Sequence, residues 1–342
     1  MISGLSLPLL LTVFAVAGTV VVLASIRATQ LADVIADRTK MGEAMAGGLI
    51  LGGATSLAGV VVSVDAALGG DASFAFANAV GGIAAQTMFL ALADAVHRRA
   101  NLEHAAAEPE NLFQAVMLLI LLSLPLCAIA GPDFTYLGIH PVSLVLFLAY
   151  LYGVRLASRV SEDPMWRPVM TDETREDVPE DDDESERSAL RPALRFAALV
   201  AMMGLGGWVI SQVGGVFISR YGFASSLVGS LITAIVTSLP ELVTTFVAVR
   251  RGALQLAIGG IIGGNTFDTL FLVFSDIAYR DGSLYHAIEA NDLYWLGTGL
   301  LMTAVLLAGL ILRQRQGPGR IGVESVAMLV IYMTASSLEI WG

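Results

Sequence analysis

The chain has 342 residues, of which 56% are apolar and only 14% charged, with a mean hydropathy of +0.73. Soluble domains run at about 45–50% apolar and about 25% charged, so this composition excludes an ordinary soluble globular protein and points to a membrane protein. Thirty acids against nineteen basic residues give a formal net charge of −11, which argues against nucleic acid as a partner. A single cysteine, Cys127, excludes a disulfide framework and any CxxC centre, and no two histidines have HExxH spacing.

Ten apolar runs are long enough to cross about 30 Å of hydrocarbon as helices. They cover residues 7–26, 45–68, 73–96, 112–130, 136–156, 192–211, 225–249, 253–278, 293–312 and 323–340. The first lacks a basic n-region and a small-residue cleavage site, so it reads as a retained span. Seventeen of the nineteen basic residues fall on the connectors of one side, and only Arg220 and Arg280 on the other. Basic connectors stay in the cytoplasm, which predicts both termini outside a plasma membrane and the central connector inside. That connector, residues 158–191, holds twelve acids, five arginines and Pro164, Pro168 and Pro179, and reads as a disordered, solvated loop. It has no Asp-x-Asp-x-Asp-Gly calcium loop.

The two halves repeat. At an offset of 182, Gly47, Leu49 and Ile50 fall on Gly229, Leu231 and Ile232, Thr55-Ser56-Leu57 on Thr237-Ser238-Leu239, and Gly81-Gly82 on Gly263-Gly264. Further on, Thr87, Phe89, Leu90 and Asp94 fall on Thr269, Phe271, Leu272 and Asp276. The expected division is a first five-helix repeat over 1–157, the acidic loop over 158–191 and a second repeat over 192–342. Five spans per repeat make the second copy enter the membrane from the opposite face, which is the inverted-topology plan of secondary transporters. The expected fold class is therefore an all-α polytopic membrane protein of about ten transmembrane helices in two inverted repeats.

Chemistry concentrates in the second repeat. In Thr237-Ser238-Leu239-Pro240-Glu241, Pro240 removes a backbone donor in mid-span and predicts a kink or break, and Glu241 places a carboxylate at bilayer depth. In Gly259-Gly260-Ile261-Ile262-Gly263-Gly264-Asn265-Thr266-Phe267-Asp268, the glycines predict a smooth face for close backbone approach. Asn265 and Asp268 stand three residues apart on one face, and Asp268 is a second intramembrane carboxylate. Hydroxyls, carboxylates and freed carbonyls are hard oxygen ligands suited to Ca²⁺, Na⁺ or a proton.

TSLPEL followed by GGIIGGNTFD resembles the two halves of an alpha-repeat of the calcium/cation antiporter superfamily, which includes the sodium/calcium exchangers. That pattern is roughly G-T-S-x-P-E, then G-N-x-x-G-S-N-x-x-N/D. The resemblance extends over nearly the whole chain through span count, topology, central loop and repeat. It implies that Glu241, Asp268, Thr237 and Ser238 are cation ligands, joined by Asn265 and, from the first repeat, Thr55, Ser56 and Gln86. It further implies alternating access, with the first and sixth spans sliding against the other eight.

The first repeat departs from the pattern. Ala58 and Gly59 stand where the second has Pro240 and Glu241, Ile83 where it has Asn265, and Gln86 where it has Asp268. The expected site thus has two carboxylates, both from the second half, with Gln86 as a neutral oxygen. One divalent cation or two monovalent ions neutralise a charge of −2, whereas three Na⁺ leave an uncompensated charge in a low-dielectric site. Electroneutral exchange of Ca²⁺ or another divalent cation for Na⁺ or H⁺ is the leading expectation, carried out by a monomer in the lipid bilayer with no resident cofactor. The alternative is a non-transporting sensor or scaffold that kept the fold. An intramembrane hydrolase has no candidate base, because no histidine lies at membrane depth beside Ser56 or Ser238, so the chain is not expected to be an enzyme. Asp65 is expected at a mouth, Asp94 and Asp276 as solvated caps, and Trp208, Tyr221, Trp295 and Trp341 as interface anchors.

Overall fold

The structure is a computed structural model that describes residues 2–39, 52–97, 101–106, 108–162, 166, 169, 190–317 and 321–341. The acidic connector and the first part of the second span lie largely outside the described residues. In chain order the elements are α1 (Leu7–Thr39), α2 (Gly52–Thr55), α3 (Leu57–Leu68), α4 (Ala72–His97), α5 (Leu102–Ala105), α6 (Pro109–Ala130) and α7 (Pro141–Glu162). After the connector come α8 (Leu190–Tyr221), α9 (Ser225–Thr237), α10 (Leu239–Arg251), α11 (Leu254–Asp268), α12 (Leu270–Ala278), α13 (Ala290–Leu312) and α14 (Val323–Trp341). Among the described residues eight helical spans are long and apolar enough to cross a bilayer, one of them α11 continued by α12; α9 and α10 form a bent pair, and the twelve-residue α3 marks the described part of the second span. No strand is present among the described residues apart from an isolated bridge between Tyr136 and Ile139.

Two helices overrun their apolar runs. α1 has 33 residues and α8 has 32, each about 50 Å at 1.5 Å per residue, longer than the hydrocarbon is thick. Polar residues such as Arg27 and Gln30, or Gln212 and Arg220, end an apolar run but not a helix, since each further residue adds a backbone hydrogen bond. α1 and α8 pack along each other and against the broken helices. A Cβ at Gly18 would lie 2.7 Å from Val236 Cγ1, and one at Gly207 would lie 2.6 Å from the Ala58 carbonyl oxygen. Each long helix therefore sets a glycine against the opposite repeat's broken span.

The repeat shows in the backbone. The turns after α3 and α10 both use a left-handed glycine, Gly70 at φ +83° and Gly252 at φ +84°, where an L side chain would be strained. At the end carrying Arg313 and Arg315, the basic end, Asp94 accepts from the Leu102 and Gly322 amides, each at 2.8 Å. At the far end Asp276 accepts from the Leu284 amide at 3.1 Å and the His140 amide at 2.8 Å. All three pairs of partners are related by the same 182-residue offset. Asp94 and Asp276 are 1% and 0% exposed, which corrects their expectation as solvated caps: each closes a connector by satisfying orphan helix-start amides. Trp295 is likewise no interface anchor, being fully buried with its indole N–H donating to Glu339 at 3.2 Å, whereas Trp208 and Trp341 are exposed.

Candidate cation site

The helix breaks put the site together. Between α9 and α10 the axis bends by 43° at Ser238, and Pro240 sits in the first turn of α10. The first repeat breaks at the mated residue, Ser56, although Ala58 stands in place of Pro240. Ser56 (φ −85°, ψ −1°) and Ser238 (φ −94°, ψ 0°) share one sparsely populated backbone conformation. A π-helical stretch, Val228–Thr233, precedes the second break. There the Thr233 hydroxyl donates to Asn78 Oδ1 at 2.7 Å, while Asn78 Nδ2 donates to the Gly59 carbonyl at 3.1 Å and to Ser63 Oγ at 2.9 Å. Asn78 thus ties both broken spans to α4.

Glu241 opens α10 and is 5% exposed, and Asp268 closes α11 and is 1% exposed. Thr55 and Ser56 face Glu241, Ser56 also faces Asp268, and Asp268 is the charged group acting most strongly on Glu241. Gln86 Nε2 donates to Asp268 Oδ2 at 2.6 Å and reaches Ser238 Oγ at 3.3 Å. Asn265 Nδ2 donates to Thr87 Oγ1 at 3.0 Å. Among the described residues, both oxygens of Glu241, Oδ1 of Asp268, Oε1 of Gln86, Oδ1 of Asn265 and the Ser56 hydroxyl make no hydrogen bond of full geometry, Thr55 and Ser56 standing beside the carboxylates as the nearest donors. Buried polar oxygens in such number are costly unless something electropositive satisfies them.

The eight expected site residues are all buried, and Thr55, Ser56, Gln86 and Ser238 bring functional groups to Glu241 and Asp268, while the Asn265 amide turns to Thr87. Thr237 spends its hydroxyl on the Thr233 and Ala234 carbonyls of its own helix, at 3.0 and 3.3 Å. Thr55 lies against Glu241. Among the described residues no three His, Cys, Asp or Glu side chains converge as a metal site. The negative charge is that of two carboxylates, with amides and hydroxyls around them.

Phe271 fills the place of the missing glutamate: a Cβ at Gly59 would lie 2.6 Å from its ring. Phe271 packs edge-on to Phe267, and Phe267 to Tyr150, giving the first-repeat side an aromatic wall. The glycine face of α11 departs from expectation. Gly259, Gly263 and Gly264 face the side-chain amide oxygens of Asn111, Gln114 and Gln86, and a close backbone approach occurs on α4, where a Cβ at Gly81 would collide with the Ser230 backbone. Asp65 meets neither carboxylate; it accepts from Ser211 Oγ at 2.7 Å and Gln212 Nε2 at 2.9 Å on α8. Asn78 and Thr87 escaped a motif reading, Asn78 because its mate is Gly260, and Thr87 because a hydroxyl in an apolar helix is unremarkable alone.

This arrangement is that of an ion-exchanger fold, and comparison with known proteins agrees. The family model described as "Sodium/calcium exchanger protein" matches residues 9–159 and 192–341, so the chain belongs to that family of membrane transporters. It is similar to the crystal structure of the H⁺/Ca²⁺ exchanger CAX at a TM-score of 0.64 and 15% identity, over 97% of this chain and 85% of that one. Against the sodium-calcium exchanger NCX_Mj the TM-score is 0.61 with 14% identity, over 97% and 99% of the two chains. Inner membrane protein YrbG of Escherichia coli (strain K12) is 27% identical over 119 residues, 34% of this chain and 35% of that protein. The matched stretch thus spans about a third of that relative's length.

Proposed function

We propose that this chain is a secondary-active cation antiporter that exchanges Ca²⁺, or another divalent cation, for Na⁺ or H⁺ by alternating access. Glu241 and Asp268 are its charged ligands, with Ser56, Gln86, Ser238 and Asn265 supplying neutral oxygens and Thr55 and Thr237 flanking them. The observation that carries this reading is the set of buried, unpartnered oxygens at the helix breaks. A scaffold under no demand for cation binding gains nothing by burying Glu241 with neither oxygen firmly paired by the protein.

A charge of −2 is matched by one divalent ion, and later by two monovalent ions, so the exchange is electroneutral. The glycine contacts of Gly18 and Gly207 on the broken spans supply the sliding surfaces for α1 and α8. The protein works as a monomer in the plasma membrane, needing no resident cofactor, with the basic end and the acidic connector in the cytoplasm. The reading is tested by isotope uptake into proteoliposomes under Ca²⁺, Mn²⁺, Mg²⁺, Na⁺ and H⁺ gradients, for the native chain, Glu241→Gln and Asp268→Asn. Gradient-driven uptake lost in both variants is expected. Native protein that moves no cation under any gradient sinks the proposal in favour of the scaffold.

A further inference from the structure

The far end shows how this fold closes a connector with little charge. Tyr285 is fully buried and its hydroxyl shares a hydrogen bond with Ser143 at 2.9 Å, while Ser143 donates to Asp276 at 2.6 Å. At the basic end the mated serine, Ser325, donates instead to Glu103 at 3.1 Å, because Glu103 stands where the far end has Tyr285. A second carboxylate, Glu324, stands where the far end has Val142. Glu103 and Glu324 are 1% and 7% exposed, and among the described residues Glu103 Oε2 and Glu324 Oε1 have no hydrogen-bond partner.

The two free oxygens converge. A Cβ on Gly322 would lie 3.2 Å from Glu324 Oε1 and 3.3 Å from Glu103 Oε2, so they flank one glycine. Gly309 of α13 makes room for the Glu324 stem, since a Cβ there would lie 2.6 Å from Glu324 Cγ. Around the pair, α4 contributes Asp94, whose two oxygens are already taken by the Leu102 and Gly322 amides. His104 of α5 has Nδ1 on the Arg313 carbonyl at 2.7 Å. The Arg313 guanidinium donates to the carbonyls of His104 and Val169 at 3.3 and 3.2 Å. Two buried carboxylates therefore face each other here, with Asp94 near enough to act on Glu103, where the mirrored end manages with Asp276, a tyrosine and a valine.

We propose that Glu103 and Glu324 form a proton-binding carboxylate pair at the basic end, separate from the candidate cation site, which makes the docking of the α5 connector on α14 sensitive to pH on that side. With a proton bound, the pair carries one negative charge beside Asp94. Without it, like charges face one another across Gly322 and push α5 from the start of α14. Burial, with Asp94 and Glu324 nearby, raises the Glu103 carboxyl to about 8, close to the pH of a cytoplasm.

The test is infrared titration of the carboxyl band in the purified full-length chain, for native protein, Glu103→Gln, Glu324→Gln and the double substitution Glu103→Tyr with Glu324→Val. The double variant copies the far end's own solution and so keeps a folded control. The native band is expected to disappear on titration through about pH 8. That component should be missing in Glu103→Gln and the double variant, and should move to lower pH in Glu324→Gln. A band unchanged in Glu103→Gln, or indifferent to Glu324→Gln, overturns the pair. Loss of the band on adding Ca²⁺ at fixed pH, persisting in a Glu241→Gln/Asp268→Asn background, overturns it in favour of a metal site. None of these readouts requires transport, so they stand or fall apart from the antiport reading.

Discussion

The ring of Phe271 occupies the space beside Gly59 that a glutamate in the first repeat would need. Gly59→Glu alone is therefore expected to destabilise the protein by about 1–3 kcal/mol through overpacking, and to leave cation binding no stronger. Combining it with Phe271→Ala should relieve the clash and add a third carboxylate. The double variant should then carry net charge per cycle where the native protein does not. Thermal unfolding and flux under an imposed potential check both halves.

Native flux should be indifferent to voltage. Moving one uncompensated charge through 100 mV is worth about 2.3 kcal/mol, so an electrogenic cycle would respond steeply to a potassium diffusion potential. Uptake that changes severalfold with the imposed potential would contradict a two-carboxylate, charge-balanced cycle.

Glu241→Gln and Asp268→Asn should each weaken divalent binding by more than about a hundredfold, the scale of removing one partner from a buried charge pair at about 3–5 kcal/mol. Gln86→Ala should cost less, because Gln86 contributes one hydrogen bond to Asp268 and one free oxygen. Isothermal titration with Ca²⁺ and Mn²⁺ ranks the three.

Pro240→Ala should leave the bend in place. Ser56 adopts the same backbone conformation as Ser238 with Ala58 in the mated position, so the break does not depend on proline. The variant should transport within about tenfold of native, equivalent to about 1.4 kcal/mol in the barrier. Spin-label distances across the α9–α10 junction, measured beside flux, would expose a straightened helix.

Stability should fall as the pH rises from about 5 to about 8. Glu103 binds its proton more tightly in the folded chain, at about 8 against 4.5, because of burial and then Asp94. Over that window the unfolded chain has lost the proton and the folded chain keeps it, so ionisation favours unfolding, by a few kcal/mol in all. Glu103→Gln should flatten this part of the curve in detergent-solubilised thermal melts.

Much of this was legible in residues alone. The apolar runs pointed to ten spans because bilayer thickness fixes a minimum length, and eight of these, with the bent pair as a ninth, stand out among the described residues; the 182-residue offset exposed the duplication before any coordinate. Glu241 and Asp268 stood out because a carboxylate at membrane depth needs a reason. The break at Ser56 was not legible: Ala58 stands where Pro240 announces the break in the second repeat, and Ala58 lies against Gly207 of α8, a contact between distant parts of the chain. Asp94 and Asp276 misled because an acid at the end of an apolar run looks the same whether it meets water or two backbone amides. Phe271 was invisible as a replacement for glutamate, since its partner lies 212 residues away in sequence and no local pattern links them.

The mirrored capture of connector amides by Asp94 and Asp276 favours neither end of the molecule over the other. A difference in how firmly the two ends are tied must come from side chains without an equivalent mate. Asp65 is one: it fastens α3 to α8 at the far end, while its counterpart, Val247, can fasten nothing. The duplication supplies the symmetry, and such unduplicated contacts are what break it.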